Sequence, residues 1–106
     1  MPGQRFDMNQ LMRQAQEMQA QMARAQEQLA NETVEASAGG GLVTVKATGT
    51  GVIQEIKIDP KAIDPDDSEL LEDTVLAAVN EALRSAQALM ESKLGGSLGG
   101  LGLPGL

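Results

Sequence analysis

The sequence predicts an α+β fold of order α-β-β-β-α, and three observations carry that reading. Apolar residues recur at alternating steps of three and four from Met8 to Leu29. Three short alternating segments, separated by glycine-rich turns, fill residues 33–58. A broad apolar helical face then runs from Leu70 to Met90, after Pro60 and Pro65 have ended the strand pattern. A repeat of about 3.5 residues marks a helical stripe and a repeat of about two a half-buried strand.

The first helix is expected to start after Asp7. Its carboxylate can accept from the free amides of the first turn, and Gln10 three residues on completes a capping-box-like pattern. The apolar positions are Met8, Leu11, Ala15, Met18, Met22, Ala25 and Leu29, a narrow heptad seam rather than the wider stripe of a globular helix. From Met8 to Asn31 such a helix spans roughly 36 Å. The rest of a 106-residue chain cannot cover that length. Part of the helix is therefore expected to pack on a partner or stand free.

"TVEASA" (residues 33–38) is a weak first strand, and Gly39-Gly40-Gly41 is a turn. "LVTVKAT" (42–48) follows, with Val43, Val45 and Ala47 on one side and Thr44, Lys46 and Thr48 on the other. After Gly49-Thr50-Gly51, "VIQEIKID" is expected to place Val52, Ile56 and Ile58 on one face, with Glu55 and Lys57 exposed. The short turns make this an antiparallel meander. Its exposed edges are suited to pairing with a second copy across a two-fold axis.

Asp64, Asp66 or Asp67 is placed to cap the second helix. Its apolar set is Leu70, Leu71, Val75, Leu76, Ala78, Val79, Ala82, Leu83, Ala86, Leu89 and Met90 and makes it the principal core helix. The segment "LGGSLGGLGLPGL" from Leu94 to Leu106 is mostly glycine and leucine, and glycine loses much backbone entropy on ordering. The expected organisation is a folded unit over residues 1–93 and a flexible Gly/Leu-rich tail over 94–106.

So small a chain buries only about 60% of its unfolded surface as a monomer. With no cysteine, neither a disulfide nor a zinc-thiolate staple makes up the shortfall. Pooling two cores in a homo-oligomer is the expected remedy. "MPGQRFDMNQ" lacks the apolar region of a signal peptide and no run approaches a membrane span, so a cytoplasmic location and no membrane partner are expected.

Histidine, cysteine and tyrosine are all absent, which removes the usual near-neutral acids, bases and thiolate nucleophiles. A non-enzymatic role without cofactor or metal is expected. The acid run "IDPDDSELLEDT" lacks the central glycine of a calcium loop, and Leu70-Leu71 interrupts its ligands. Those acids read instead as helix caps that complement the positive N-terminal dipole. "SAGGGLVTV" lacks the lysine and following helix of a phosphate loop.

Net charge is −7, unfavourable by itself for binding a polyanion. The distribution is uneven. Residues 1–31 hold three arginines against three acids, whereas seven acids between Asp59 and Asp73 face only Lys61. Arg13 and Arg24 lie eleven residues apart, which returns them to within roughly 20° of each other on a helix. With Glu17 and Glu27 near them, they read either as a solvated face with weak surface pairs or as a row that meets phosphate. If the two long helices lie antiparallel, Arg13 comes level with Arg84 and Arg5 approaches Lys93 at an outer tip. Four cations would then gather at the end furthest from the acids.

Taken together and in order, "LMRQAQEMQAQMARAQEQLA", "SAGGGLVTVKATG", "IKIDP", "DPDDSELLEDTVLAAVNEALRSAQ" and "LGLPGL" resemble the YbaB/EbfC family of bacterial nucleoid-associated proteins. The resemblance runs from Met8 to Leu106. It implies an intertwined homodimer with a shared β-sheet and tweezer-like helical arms that bind duplex DNA with little sequence preference. By resemblance, the basic position after "LM" falls on Arg13. Arg24 and Arg84 follow less directly, and Arg5 and Lys93 rest on the tip geometry. Few cations and no aromatic residue but Phe6 point to backbone-directed, salt-sensitive binding of duplex DNA rather than base stacking on single strands. A role as an adaptor for DNA-repair or replication proteins is the alternative, because methionine seams adapt to varied partners.

Overall fold

Two glycine turns shape the sheet of this computed structural model, which describes residues 7–99. Strands β1 (Thr33–Ala38), β2 (Val43–Thr48) and β3 (Ile53–Ile58) pair antiparallel in the order β1-β2-β3. Gly39, Gly40 and Gly41 take φ of 65, 70 and 91° in the first turn, and Gly51 takes 88° in the second. Side chains with a Cβ rarely adopt these values.

Val43 pairs with Ala38 and Ile58, Val45 with Ala36 and Ile56, and Ala47 with Val34 and Ile53. Directly opposed residues share a face, so one side of the sheet is apolar throughout. Helix α2 (Ser68–Gly99) lies on that side. Val43, Val45 and Ala47 are fully buried against Ala78 and Ala82, with Leu71, Val75 and Val79 packed around them. The alanines let the helix axis come close to the strands. α2 packs on β1 and β2, and β3 keeps much of its apolar face uncovered, with Ile56 44% and Ile58 37% exposed.

One expectation for β3 is corrected. Val52 does not share the face of Ile56 and Ile58: it precedes the strand and is exposed, and Ile53 packs on the core instead. The register shifts between Lys46 and Ala47, which pair with Glu55 and Ile53. Gln54 is therefore an extra residue, and it inverts the alternation of everything before it.

The acids before α2 serve as caps. Asp59 Oδ1 accepts from Lys61 N (2.9 Å) and starts a short 3-10 turn, Pro60–Ala62. Asp64 Oδ1 accepts from Asp66 N (3.0 Å), and Asp67 Oδ1 accepts from Leu70 N (3.3 Å) at the start of α2. At its other end α2 runs on to Gly99, so residues 94–99 of the expected tail are helical in backbone. Extending a formed helix adds a hydrogen bond per residue, which offsets glycine's cost of about 1 kcal/mol. The remainder of that tail lies outside the described residues.

Helix α1 (Met8–Asn31) begins as expected, with Asp7 Oδ1 accepting from Asn9 N (3.0 Å) and Gln10 N (3.2 Å). It does not fold back over the sheet, and the molecule measures 80 × 26 × 16 Å.

Candidate nucleic-acid interface

α1 is a projecting arm. Between Met8 and Asn31 it contains no glycine, proline or β-branched residue, and its Ala, Gln, Glu, Met and Arg rank among the better helix formers. Every residue from Met8 to Arg24 is exposed. The apolar seam is exposed with them: Leu11 is 46% and Met18 53% accessible. The expectation that part of this helix stands clear of its own chain is met.

The arm is rooted at one end. Leu29 is 1% exposed and Ala25 half-buried. Leu29 sits on Gly49, where an added Cβ would lie 2.8 Å from both the Leu29 carbonyl oxygen and Cδ2. The Gly49 amide donates to the carbonyls of Leu29 (2.9 Å) and Glu32 (3.0 Å). Thr48 steadies that turn: its hydroxyl accepts from Val52 N (3.2 Å) and lies 2.7 Å from the Thr50 hydroxyl. Glu32, directly after the helix, takes an ion pair from Lys93 at 2.5 Å.

Arg13 and Arg24 occupy the face turned away from the seam and are both exposed. Eleven residues of helix set them roughly 16 Å apart along the arm. Neither forms an ion pair among the described residues, so the expected pairings with Glu17 and Glu27 are not made. Their guanidinium groups keep their donors for other acceptors. Arg84 is engaged instead, with its Nη2 2.7 Å and Nε 3.1 Å from Glu81 Oε2.

The expected gathering of Arg5, Arg13, Arg84 and Lys93 at one tip is corrected. Lys93 meets Glu32, at the inner end of α1 rather than its outer end. The physical reason is that α2 is committed to the sheet from Leu71 to Ala82, so its ion pair with the arm falls further along, between Lys93 and Glu32. Arg13 lies 19 residues before Glu32, roughly 28 Å further out. Arg5 lies outside the described residues. The separation of charge survives in another form, since Asp67 and Lys93 are 26 residues apart on α2, or roughly 39 Å. The acids thus sit at the far end of the molecule from the arm's root.

Gly49 and Glu32 escaped the sequence reading. Gly49 looked like an ordinary turn glycine, and Glu32 one more acid. The usable signal was their spacing: an apolar seam that ends four residues before β1 brings its last member, Leu29, near the end of β2, which pairs with the start of β1 through Thr33 and Thr48.

A second feature is a shallow groove between β3 and α2, lined by Ile58, Leu71, Val75, Leu76 and Val79 with Glu72 at its border. Leu76, 59% exposed, stands at its lip. No group of three or more His, Cys, Asp or Glu among the described residues is arranged to hold a metal ion. No helix among them is long and apolar enough to cross a membrane.

Residues 4–101 match the YbaB/EbfC DNA-binding family. A nucleoid-associated protein of Acetivibrio thermocellus is 55% identical over 99% of this chain and 94% of its own. One of Saccharopolyspora erythraea is 50% identical over 99% of this chain and 98% of its own. The crystal structure of an uncharacterized protein from Helicobacter pylori superposes with a TM-score of 0.78 at 20% identity, over 89% of this chain and 99% of that one. That likeness concerns the fold.

Proposed function

Because the chain belongs to the YbaB/EbfC DNA-binding family, we propose that it is a non-enzymatic nucleoid protein of the cytoplasm whose homodimer grips duplex DNA between its α1 arms. The observation that carries the reading is the row of Arg13 and Arg24, exposed and without ion pairs, on a helix that projects from the sheet. Phosphate is the acceptor such a row fits. The glutamines of α1 can donate to phosphate as its arginines do, and we read binding as backbone-directed and largely indifferent to sequence. Arg84 lends secondary charge, as does Arg5. The acids at the far end keep the rest of the molecule away from the polyanion.

The dimer is part of the proposal. Two apolar surfaces, the Met/Leu seam of α1 and the groove beside β3, are left uncovered by the described residues. A second copy supplies matching surfaces for both under two-fold symmetry.

Fluorescence anisotropy with a labelled duplex of arbitrary sequence, taken across a salt series, tests the reading. With Arg13 and Arg24 of both protomers on phosphate, log K falls against log salt with a slope of about −3.6. Absence of binding at low salt overturns it. The exposed methionines of α1 favour a second reading, an adaptor for DNA-repair or replication proteins. A partner retained from nuclease-treated lysate, and lost on deletion of residues 94–106, is its signature.

A further inference from the structure

We infer that the Glu32–Lys93 ion pair is the latch that aims the α1 arm, so that Lys93 serves DNA binding as a positioning residue rather than as a phosphate contact. The inference rests on the arm reading above and adds to it the element that fixes the arm's direction.

Three observations support it. Lys93 Nζ lies 2.5 Å from Glu32 Oε1, across 61 residues of sequence. The pairs Lys46–Glu35, Lys57–Glu55 and Arg84–Glu81 each stay within the sheet or within α2, whereas this one ties the end of α1 to α2. It is also better shielded. Its side chains are 32% and 39% exposed, against 67% and 53% for Arg84–Glu81, and partial burial reduces screening by salt.

The mechanics give the pair its importance. Leu29 on Gly49 holds α1 at one place, through an apolar contact and main-chain hydrogen bonds. One such seat fixes the position of a rod but leaves its tilt soft. Glu32–Lys93 adds a second attachment through a different element. The arm then multiplies any slack: with Arg13 roughly 28 Å from Glu32, a tilt of about 10° moves it by about 5 Å. That exceeds the reach of a hydrogen bond to phosphate.

The test compares Glu32→Gln, Lys93→Gln, the double variant and the charge swap E32K/K93E with the wild-type chain. All are titrated on a labelled duplex of arbitrary sequence across a salt series. A latch predicts that each single variant weakens binding by about threefold. The double variant is no worse than either single, the swap restores affinity, and the salt slope stays at the wild-type value throughout. If Lys93 instead touches phosphate, Glu32→Gln tightens binding, while Lys93→Gln flattens the slope by about 1.8 for the two copies. That result overturns the inference, and so does a swap that fails to restore affinity.

A measurement free of DNA separates this inference from the function it serves. The chain has no cysteine, so nitroxides on Gln16→Cys and Ala88→Cys, in protomers diluted with unlabelled chain, report the angle between arm and α2. The distance distribution broadens in the Glu32→Gln background and narrows again with the swap. An unchanged width overturns the latch whether or not DNA binds. Broadening in the Glu32→Gln background, together with a wild-type chain that ignores DNA, overturns the DNA reading and leaves the latch standing.

Discussion

The amide of Gly49 donates to the carbonyl oxygens of both Leu29 and Glu32, at 2.9 and 3.0 Å, so the turn between β2 and β3 is the socket in which α1 ends. The φ of Gly49 is not among the positive ones, so its lack of a side chain matters for space rather than for backbone conformation. Gly49→Ala forces a methyl to within 2.8 Å of backbone and Leu29 side chain. The expected cost is about 1–3 kcal/mol, as for other overpacked sites, seen as a lower urea midpoint at unchanged m-value.

The caps of the acid run are separable by calorimetry. Asp67 accepts from the first turn of α2, so Asp67→Ala is expected to cost about 1 kcal/mol. Asp66 is exposed and contributes no side-chain bond among those of the described residues. Asp66→Ala should stay within about 0.5 kcal/mol of wild type. Equal losses at both positions would mean that the run acts through its collective charge rather than through caps.

Cations are distinguished by their effect on the salt slope. Arg13→Ala removes one phosphate contact from each protomer and takes the slope from about −3.6 to about −1.8, equally on unrelated sequences. Lys57, on β3 and paired with Glu55 at 3.2 Å, serves as the control. Its replacement by alanine leaves the slope unchanged. A loss in Arg13→Ala confined to one sequence would refute backbone-directed binding.

Assembly is expected to depend on the groove beside β3. Leu76→Glu puts a carboxylate at its lip, where the chain itself leaves the leucine 59% exposed. The protomer loses little by the change, because that side chain is not part of its own core. Sedimentation velocity should show the half-mass species while circular dichroism keeps its helical signal. A variant that sediments as wild type would remove this groove from the interface.

Element boundaries were largely legible because local chemistry dictates them. Asp7 caps α1, two glycine turns delimit β2, and Pro60 and Pro65 separate the strands from α2. The buried face of β2 was legible too, since Val43, Val45 and Ala47 alternate without interruption. The face of Val52 was not, because the register shift opposite Lys46 and Ala47 depends on pairing between strands and leaves no mark in the periodicity of either. The tip geometry failed for a related reason. Helix lengths are written in the sequence, but how much of α2 is committed to the sheet, and hence which residue meets Glu32, is settled by packing. That Arg13 and Arg24 share one exposed face was legible from angular phase, which a single straight helix preserves.

One residue, Glu32, separates the last turn of α1 from the first residue of β1. With no loop to absorb a change in length, the azimuth of the arm is geared to the sheet. Each residue inserted or deleted near this junction turns everything outboard by about 100°, carrying Arg13 and Arg24 round to the flank of the helix. An insertion of seven, two turns, returns the row to within roughly 20° of its original heading. Arm length in this architecture is therefore adjustable in steps of about two turns. A designer who wants an arm of another reach should add heptads to α1 and leave residues 29–33 as they are.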